Sequence, residues 1–394
     1  MHRRTKTSIL LVAMPNSIHT ARWVKQFIDQ NWEMHLFPSK GDDPPHPQLT
    51  DVVLQYCVLG RWRERARKFG LFWMAFLIDW VRRHYEKRFP HNRVRELRNR
   101  ISTLRPNLIH AMEMQGAGYL TLEAKGKYQG KFPTWLMTNW GSDIYLFGRL
   151  QAHQKKIHEV LTQCDHYSCE CQRDVDLARA FGFQGRVLGV FPNGGGFDLC
   201  ALKPLRENQT SKRRRIMLKG YQSWAGRALV GLRALERSAD LLGGYEICIY
   251  SGSDDVALAA ELFTEGYGIP TRVIPRDTPH RDILALHAQA RISIGLSISD
   301  SISTSLLEAM VMGSFPIQSS TACANEWIEH GISGMIVPPE DPEIIETAIR
   351  TALTDDDLVN KAAGMNWQVA LAKLDGALLK QKAVEMYNTA LKGR

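Results

Sequence analysis

Residues 292–318 read Ile292-Ser-Ile-Gly-Leu296, Ser297-Ile-Ser-Asp300-Ser-Ile-Ser303, Thr304-Ser-Leu-Leu-Glu308-Ala-Met-Val-Met312, Gly313-Ser, Phe315-Pro-Ile-Gln318. The first and last groups are short, mostly apolar runs of the kind that form buried strands. Between them, small residues lead into a helix that begins near Ser303. Strand, helix, strand is the building unit of a parallel sheet. The first N–H groups of such a helix lie at the positive end of its dipole, where a diphosphate can bind. Small side chains at Ser301, Ser303 and Ser305 permit close approach, and their hydroxyls add donors. Asp300 and Glu308 stand about two helical turns apart. Their carboxylates suit sugar hydroxyls rather than phosphate. The plain alternative is a capped helix whose Glu308 is simply solvated.

The same alternation extends through the chain. Strand-like runs occur at Ser8–Met14, Glu33–Phe37, Val52–Val58, Leu108–Ala111, Thr134–Thr138 and His166–Cys169. They resume at Ile216–Lys219, Glu246–Tyr250, Arg272–Ile274, Ile292–Leu296, Phe315–Gln318 and Gly334–Val337. Long patterned segments such as Thr20–Gln30 and Asp254–Glu265 lie between them. Apolar strands alternating with helices indicate α/β sheets covered on both faces. The glycine-rich stretch Phe191–Asp198 and the polar stretch Lys203–Arg215 between the two series read as hinge and linker. We therefore expect two Rossmann-like, doubly wound domains, 1–190 and 191–366, facing across a cleft lined by the loops after the strands. A helix over 367–394 packs on its own domain or crosses back to the first.

Composition narrows the class. The 394 residues carry a net charge of +9, but 13 Lys+Arg and 4 Asp+Glu fall within residues 61–100. The remainder is balanced, so a protein that coats nucleic acid is not indicated. The longest apolar run, Leu71–Ile78, is far short of the roughly 20 residues of a spanning helix. The basic start is followed by no small-x-small cleavage site, so Ser8–Met14 is read as a strand and the chain as cytoplasmic. Seven cysteines, with Cys169-x-Cys171 the one close pair, indicate reduced thiols rather than a zinc site. No Walker loop occurs, and Gly116-Ala-Gly118 is not a dinucleotide fingerprint.

The segment beyond Asp300 contains Glu308-Ala-Met-x-x-Gly313-x-x-Pro316 and Gly331-x-x-Gly334-x-x-Val337-Pro-Pro-x-Asp341-Pro342. Together these resemble the donor-binding signature of glycosyltransferase family 4, retaining enzymes of the GT-B fold. The resemblance implies that Glu308 holds the donor ribose and Asp300 the transferred sugar. The diphosphate would lie on the backbone of Ser301, Ile302, Ser303 and Thr304. The family pattern has Glu at 300 and Gly at 303; Asp and Ser stand here, which shortens the first carboxylate's reach by a methylene. Phe191-Pro-Asn193-Gly194 resembles the family's interdomain element. For the cations on the diphosphate, Arg227 is the first choice and Lys219 the second; surface charge is the alternative for both. The loop Ile274-Pro-Arg276-Asp-Thr-Pro-His280 would receive the nucleobase, and no side chain there separates uracil from guanine.

The first half follows the family less closely. The loop Pro15-Asn16-Ser17-Ile-His19-Thr20 lacks the usual Gly-Gly. Leu108-Ile-His110-Ala-Met112-Glu113-Met-Gln115 resembles a His-x-His strand end whose second histidine is Met112. His19, Glu113 or Gln115 would replace it. Thr138-Asn-Trp140-Gly141-Ser-Asp143 resembles a loop that has His in the Trp140 position. Glu113 and Asp143 are the polar groups expected in the cleft, with core or turn roles as the alternative.

The resemblance implies transfer of a hexose from a UDP-sugar, UDP-glucose or UDP-N-acetylglucosamine first, with retention and without a metal or other cofactor. The departing diphosphate would be stabilised by helix N-termini, Arg227 and Lys219, and would itself take the acceptor proton, so no dedicated base is required. The acceptor is a saccharide, lipid-linked, in an exopolysaccharide or envelope pathway. A nucleotide-sugar hydrolase or epimerase on the same fold, and a non-catalytic sugar-nucleotide-binding membrane scaffold, remain as alternatives. Residues 61–88 join an Arg-rich run to Phe69, Phe72, Trp73, Phe76, Leu77 and Trp80 at helical spacing. That profile fits a helix lying on an anionic membrane at the inner face, or one buried in the first domain. Nucleic acid is not expected as the partner.

Overall fold

In a computed structural model, which describes residues 6–88, 91–206 and 209–392, Ile9 to Ala13 have no exposed surface. A strand buried on both faces must have helices above and below it. This one, β1 (Thr7–Ala13), is central in a parallel sheet with β2 (Trp32–Pro38), β3 (Val53–Leu54), β4 (Leu108–Met112), β5 (Thr134–Thr138), β6 (His166–Cys169) and β7 (Arg186–Val190). The order is β3-β2-β1-β4-β5-β6-β7. The helices of this part are α1 (Ile18–Lys25), α2 (Val58–Lys68), α3 (Phe72–Arg88), α4 (His91–Leu104), α5 (Tyr119–Gly126), α6 (Gln151–Gln163) and α7 (Gln172–Ala180). The basic start, residues 1–5, lies outside the described residues.

After a short α8 (Leu199–Leu202), the second sheet comprises β8 (Arg215–Lys219), β9 (Glu246–Tyr250), β10 (Thr271–Val273), β11 (Ile292–Gly295), β12 (Phe315–Ser319) and β13 (Met335–Val337). It is also parallel, in the order β10-β9-β8-β11-β12-β13. Its helices are α9 (Ala228–Arg237), α10 (Asp254–Tyr267), α11 (His280–Ala288), α12 (Thr304–Met312), α13 (Pro342–Thr354) and α14 (Asp356–Lys373); a last helix, α15 (Gly376–Lys392), belongs from Lys380 onward to the first unit. In both sheets the order reverses beside the first strand, between β1 and β4 and between β8 and β11. These are the switch points where doubly wound sheets bind ligands. The chain divides into two α/β units: residues up to Gly195 with those from Lys380 onward, and Gly196–Leu379.

Four local expectations differ from the structure. The first sheet has a seventh strand, β7, at its edge. Arg186 and Val190 at its ends are exposed and none of its residues is fully buried, as suits an edge strand. The strand expected over Val52–Val58 pairs only at Val53–Leu54. The buried Asp42 carboxylate accepts the Cys57 N–H at 3.0 Å, and α2 begins at the next residue. The helix expected over Thr20–Gln30 ends at Lys25. The single tail helix is two, broken at Leu374-Asp375. There the Phe197 N–H bonds the Leu374 carbonyl at 2.9 Å, and Asp375 caps α15 by accepting from Ala377 and Leu378 at 3.0 and 3.1 Å.

The α2–α3 pair inverts the usual pattern of a globular helix pair. Its inner seam is ionic. Buried Arg63 and Arg82 both reach Asp79, at 3.2 and 2.9 Å. Its outer face is apolar, with Phe69 and Phe76 almost fully exposed, at 78 and 77%. Trp62, Phe72, Trp73 and Trp80 are exposed with them. The alternative of a helix buried in the first domain is therefore excluded. Among the described residues no helix is long and apolar enough to cross a membrane.

Candidate active site

The loops at the second switch point bring the donor candidates together. Lys219 is the last residue of β8, and its ammonium is 3.4 Å from Ser303 Oγ. Ser303 is the N-cap of α12, is extended, and makes no side-chain capping bond. Its hydroxyl meets Ser305 Oγ at 2.6 Å. The start of α12 is thus a helix N-terminus with a cation beside it, the arrangement that favours a bound anion. Ser301, Ile302 and Ser303 are buried here, and Asp300 Oδ1 accepts the Ser301 N–H at 2.9 Å.

Arg227 lies on the neighbouring loop, which is laced to the start of the 297–303 segment. Its own N–H bonds Leu296 O at 3.0 Å, and Ile298 N–H bonds Ala225 O at 2.9 Å. Gly226 is required for that approach, since a β-carbon there would run into the Tyr221 carbonyl. The Arg227 guanidinium, however, is engaged by Glu340 at 2.8 Å and by carbonyls of its own loop, Gly226 O at 3.0 Å among them. This geometry favours Lys219, the second choice from sequence. Lys219 is the cation at the helix terminus, and Arg227 braces the loop. Arg276, offered to the nucleobase, bonds the Gly252 carbonyl at 2.9 and 3.1 Å.

Glu308 sits on the wholly buried face of α12, where α11 packs against it. His280 Nε2 is 2.7 Å from one carboxylate oxygen, and His287 Nε2 is 3.6 Å from the other, longer than a hydrogen bond. Burial pushes the carboxyl up, but the two histidines outweigh it and hold it at about 2. Glu308 is therefore a carboxylate at neutral pH. His287 is held from its far side by Ser293 Oγ at 2.8 Å. The two histidines are neighbours of Glu308 that sequence reading missed. They lie 28 and 21 residues before Glu308, and only the packing of α11 on α12 unites them.

In the first unit, the carboxyl ends of β1 and β4 carry the acceptor-side candidates. Asn16 and His19 are exposed at the start of α1, and the His19 ring meets the Trp140 ring edge-on at 5.7 Å. Glu113 has φ of 84°, a left-handed conformation rare for a side-chain-bearing residue. Its carboxylate caps the π-helical turn that follows, accepting the N–H groups of Gly116 and Ala117 at 2.8 and 2.7 Å. Asp143 is committed in the same way, to the N–H groups of Met114 and Trp140 at 2.8 and 2.9 Å. Its burial and the nearby Glu113 charge raise its pKa well above the usual range. Gln115 donates to the Asp143 carbonyl at 2.8 Å. Both carboxylates thus organise one loop, the turn role that stood as the alternative for Glu113 and Asp143. Asn193, buried beyond β7, donates its N–H to Glu170 at 2.8 Å. Glu113→Ala is expected to lower unfolding stability by about 3 kcal/mol, because a buried N–H group, on Ala117, and a half-buried one, on Gly116, lose their partners at about 1–3 kcal/mol each. Glu113→Gln, which keeps one acceptor, should lose less in urea titration.

Comparisons with known proteins agree with this geometry. Residues 8–165 match a family model described as glycosyl transferase 4-like, and residues 252–366 match one described as glycosyl transferases group 1. A comparison with curated proteins found no match. Among solved structures, the chain is similar to sucrose-phosphate synthase from Thermosynechococcus elongatus, with a TM-score of 0.72, 14% identity, and coverage of 99% of this chain and 100% of that one. A glycosyltransferase from Rickettsia africae gives a TM-score of 0.69 at 14% identity, covering 99% and 100%. Anabaena HepE, solved in complex with UDP-glucose, gives 0.67 at 13% identity, covering 98% and 100%. At such identities these likenesses speak for the fold.

Proposed function

Because this chain belongs to the family-4 type of glycosyltransferase, built on the GT-B fold, we propose that it moves a hexose from a UDP-sugar to a saccharide carried on a lipid. Glucose and N-acetylglucosamine are the favoured sugars. Transfer proceeds with retention and without a metal, in polysaccharide biosynthesis. The observation that carries this reading is the Lys219 ammonium beside the uncapped start of α12, 3.4 Å from Ser303 Oγ. A diphosphate leaving group gains charge as its bond to the sugar breaks, and a fixed cation with a helix N-terminus meets that charge without reorganising. Glu308, held ionised, accepts the ribose hydroxyls, and Asp300 at the head of the loop accepts those of the transferred sugar. Because Glu113 and Asp143 already serve backbone N–H groups, the departing phosphate is the natural acceptor of the incoming hydroxyl proton. The exposed aromatic face of α3 and its flanking arginines support a peripheral place at the inner face of the membrane.

Asp300→Ala and Glu308→Ala are each expected to weaken UDP-sugar binding about ten- to hundredfold, the size of a hydrogen bond to a charged group. If calorimetry finds both variants binding like the parent, the donor site is elsewhere. Product analysis with and without a lipid-linked saccharide separates transfer from hydrolysis or epimerisation. The anomeric signal of the product tests retention, and activity in excess chelator tests independence from metal.

A further inference from the structure

The α2–α3 pair is built for an apolar surround, and behind it lies a cavity that the donor site does not use. The cavity is about 520 Å³ and lies between the start of α2, the end of α3 and the start of α4. That volume suits a ligand of several hundred daltons. Its wall is largely hydrocarbon, from Cys57, Val58, Leu59, Val81 and Tyr85. Four cations but one acid, Glu96, share the lining.

Two of those cations are already paired. Arg93 meets Asp42 at 3.2 Å, and Arg82 meets Asp79 at 2.9 Å. Lys40 and Arg95 are more exposed and more loosely held. Lys40 keeps 57% of its side chain exposed, and its nearest carboxylate oxygen, on Glu113, is 3.8 Å away. Arg95 is exposed at the rim, beside Asn92. A cavity with a hydrocarbon wall and a cationic mouth complements a molecule with a long apolar chain and an anionic head. Lys40 also ties the mouth to the switch point of the first sheet, because Glu113 lies immediately beyond β4.

We propose that this cavity binds the lipid end of the acceptor: a hydrocarbon chain along Val58, Leu59 and Val81, with its phosphate on Lys40 and Arg95. The chain reaches the cavity from the bilayer on which the exposed aromatic side chains of α2 and α3 rest. The attached saccharide then extends from the phosphate toward the end of β4. This deepens, and rests on, the reading that the acceptor is lipid-linked.

The test uses the full chain and farnesyl phosphate below its micelle concentration, with farnesol and inorganic phosphate as the two partial ligands. Binding is read by tryptophan fluorescence. Farnesyl phosphate is expected to bind at least tenfold more tightly than either partial ligand. Val81→Trp and Val58→Trp, at partly exposed positions, should each weaken it about tenfold by filling the cavity. Lys40→Ala should weaken farnesyl phosphate about fivefold and leave farnesol unchanged. UDP-glucose binding, measured on the same samples, should be unaltered in every variant and reports that they are folded. Equal farnesyl phosphate binding by parent and both filled variants overturns the proposal, as does equal affinity for farnesol and farnesyl phosphate. Loss of UDP-glucose binding by the parent, with farnesyl phosphate still bound, would instead overturn the donor reading and leave the lipid site standing.

Discussion

Lys219→Ala is expected to lower kcat by about 10²–10³-fold, the usual cost of removing one fixed donor from developing negative charge. The KM for UDP-sugar should change by no more than about threefold. The split follows from geometry. The substrate diphosphate is already charged and is met by the N–H groups of α12 as well as by Lys219. What Lys219 adds grows as the glycosidic bond breaks, so its removal falls on turnover. Lys219→Arg should recover part of the rate, since charge is kept while the point geometry is lost. Arg227→Ala should cost no more than about tenfold, because its guanidinium is spent on Glu340 and on loop carbonyls. Single-turnover measurements on the three variants decide the matter. A larger loss for Arg227→Ala than for Lys219→Ala would restore the order expected from sequence.

The second sheet was legible because its strands are short apolar runs and its site is local. Asp300, the 301–304 loop and Glu308 lie within nine residues, so one strand–loop–helix element positions them all. Lys219 was legible as a charge at a strand end, but its rank was not. The Arg227 guanidinium is paired with Glu340, which is 113 residues away, and no local pattern announces that pair. The histidines of Glu308 were hidden for the same reason.

In the first unit the sequence left more open, for a different reason. Glu113 and Asp143 were read as cleft carboxylates because they follow strands, and they do follow strands. Glu113 is taken up by the N–H groups three and four residues on, and Asp143 Oδ2 by those of Trp140 and Met114, a demand set by backbone conformation that composition does not reveal. Glu113 could have been suspected from Gly116. A β-carbon at that position would collide with the Glu113 carboxylate, so an acid followed three residues later by glycine is consistent with a cap. The aromatic segment shows the limit of periodicity. Phe72, Trp73, Phe76 and Trp80 recur at the spacing of a buried face, yet Arg63 and Arg82 occupy the buried seam and the rings face out. Hydropathy alone assigns those two faces the other way round.

Acid should destabilise the first unit at a pH where most proteins are still near their maximum, and the cause is His110. The ring is fully buried in a chain of hydrogen bonds. Trp23 Nε1 donates to Tyr387 Oη at 2.8 Å, and Tyr387 Oη lies 2.7 Å from His110 Nδ1. His110 Nε2 lies 2.6 Å from Thr138 Oγ1, which meets Ser168 Oγ at 2.5 Å. One set of directions satisfies the chain. Tyr387 donates to a neutral Nδ1, and Nε2–H donates to Thr138, whose hydroxyl donates to Ser168. A second proton on His110 would turn Nδ1 into a donor and leave the tyrosine hydroxyl hydrogen without its acceptor. Burial accordingly lowers the His110 pKa from 6.5 to about 3. The unfolded chain takes up that proton below pH 6.5 and the native chain does not, so stability falls as pH falls from 6.5 toward 3. Between pH 6.5 and 4.5 the loss is about 2 kcal/mol, from about 1.4 kcal/mol for each unit of pH well below the unfolded value. Glu308 adds its own loss only below its unfolded value of 4.5, as pH falls toward about 2. The window from 6.5 to 4.5 therefore isolates the histidine from Glu308. His35 and His166 are lowered by burial as well and slope the same way, so the comparison must be with a variant. His110→Gln retains an acceptor for Tyr387 and a donor for Thr138 but no titrating group. Urea unfolding at pH 6.5 and 4.5 should show the parent losing about 2 kcal/mol more than His110→Gln. Equal losses in the two proteins would mean that His110 is protonated in the native state, and that the hydrogen-bond chain from Trp23 to Ser168 runs in other directions.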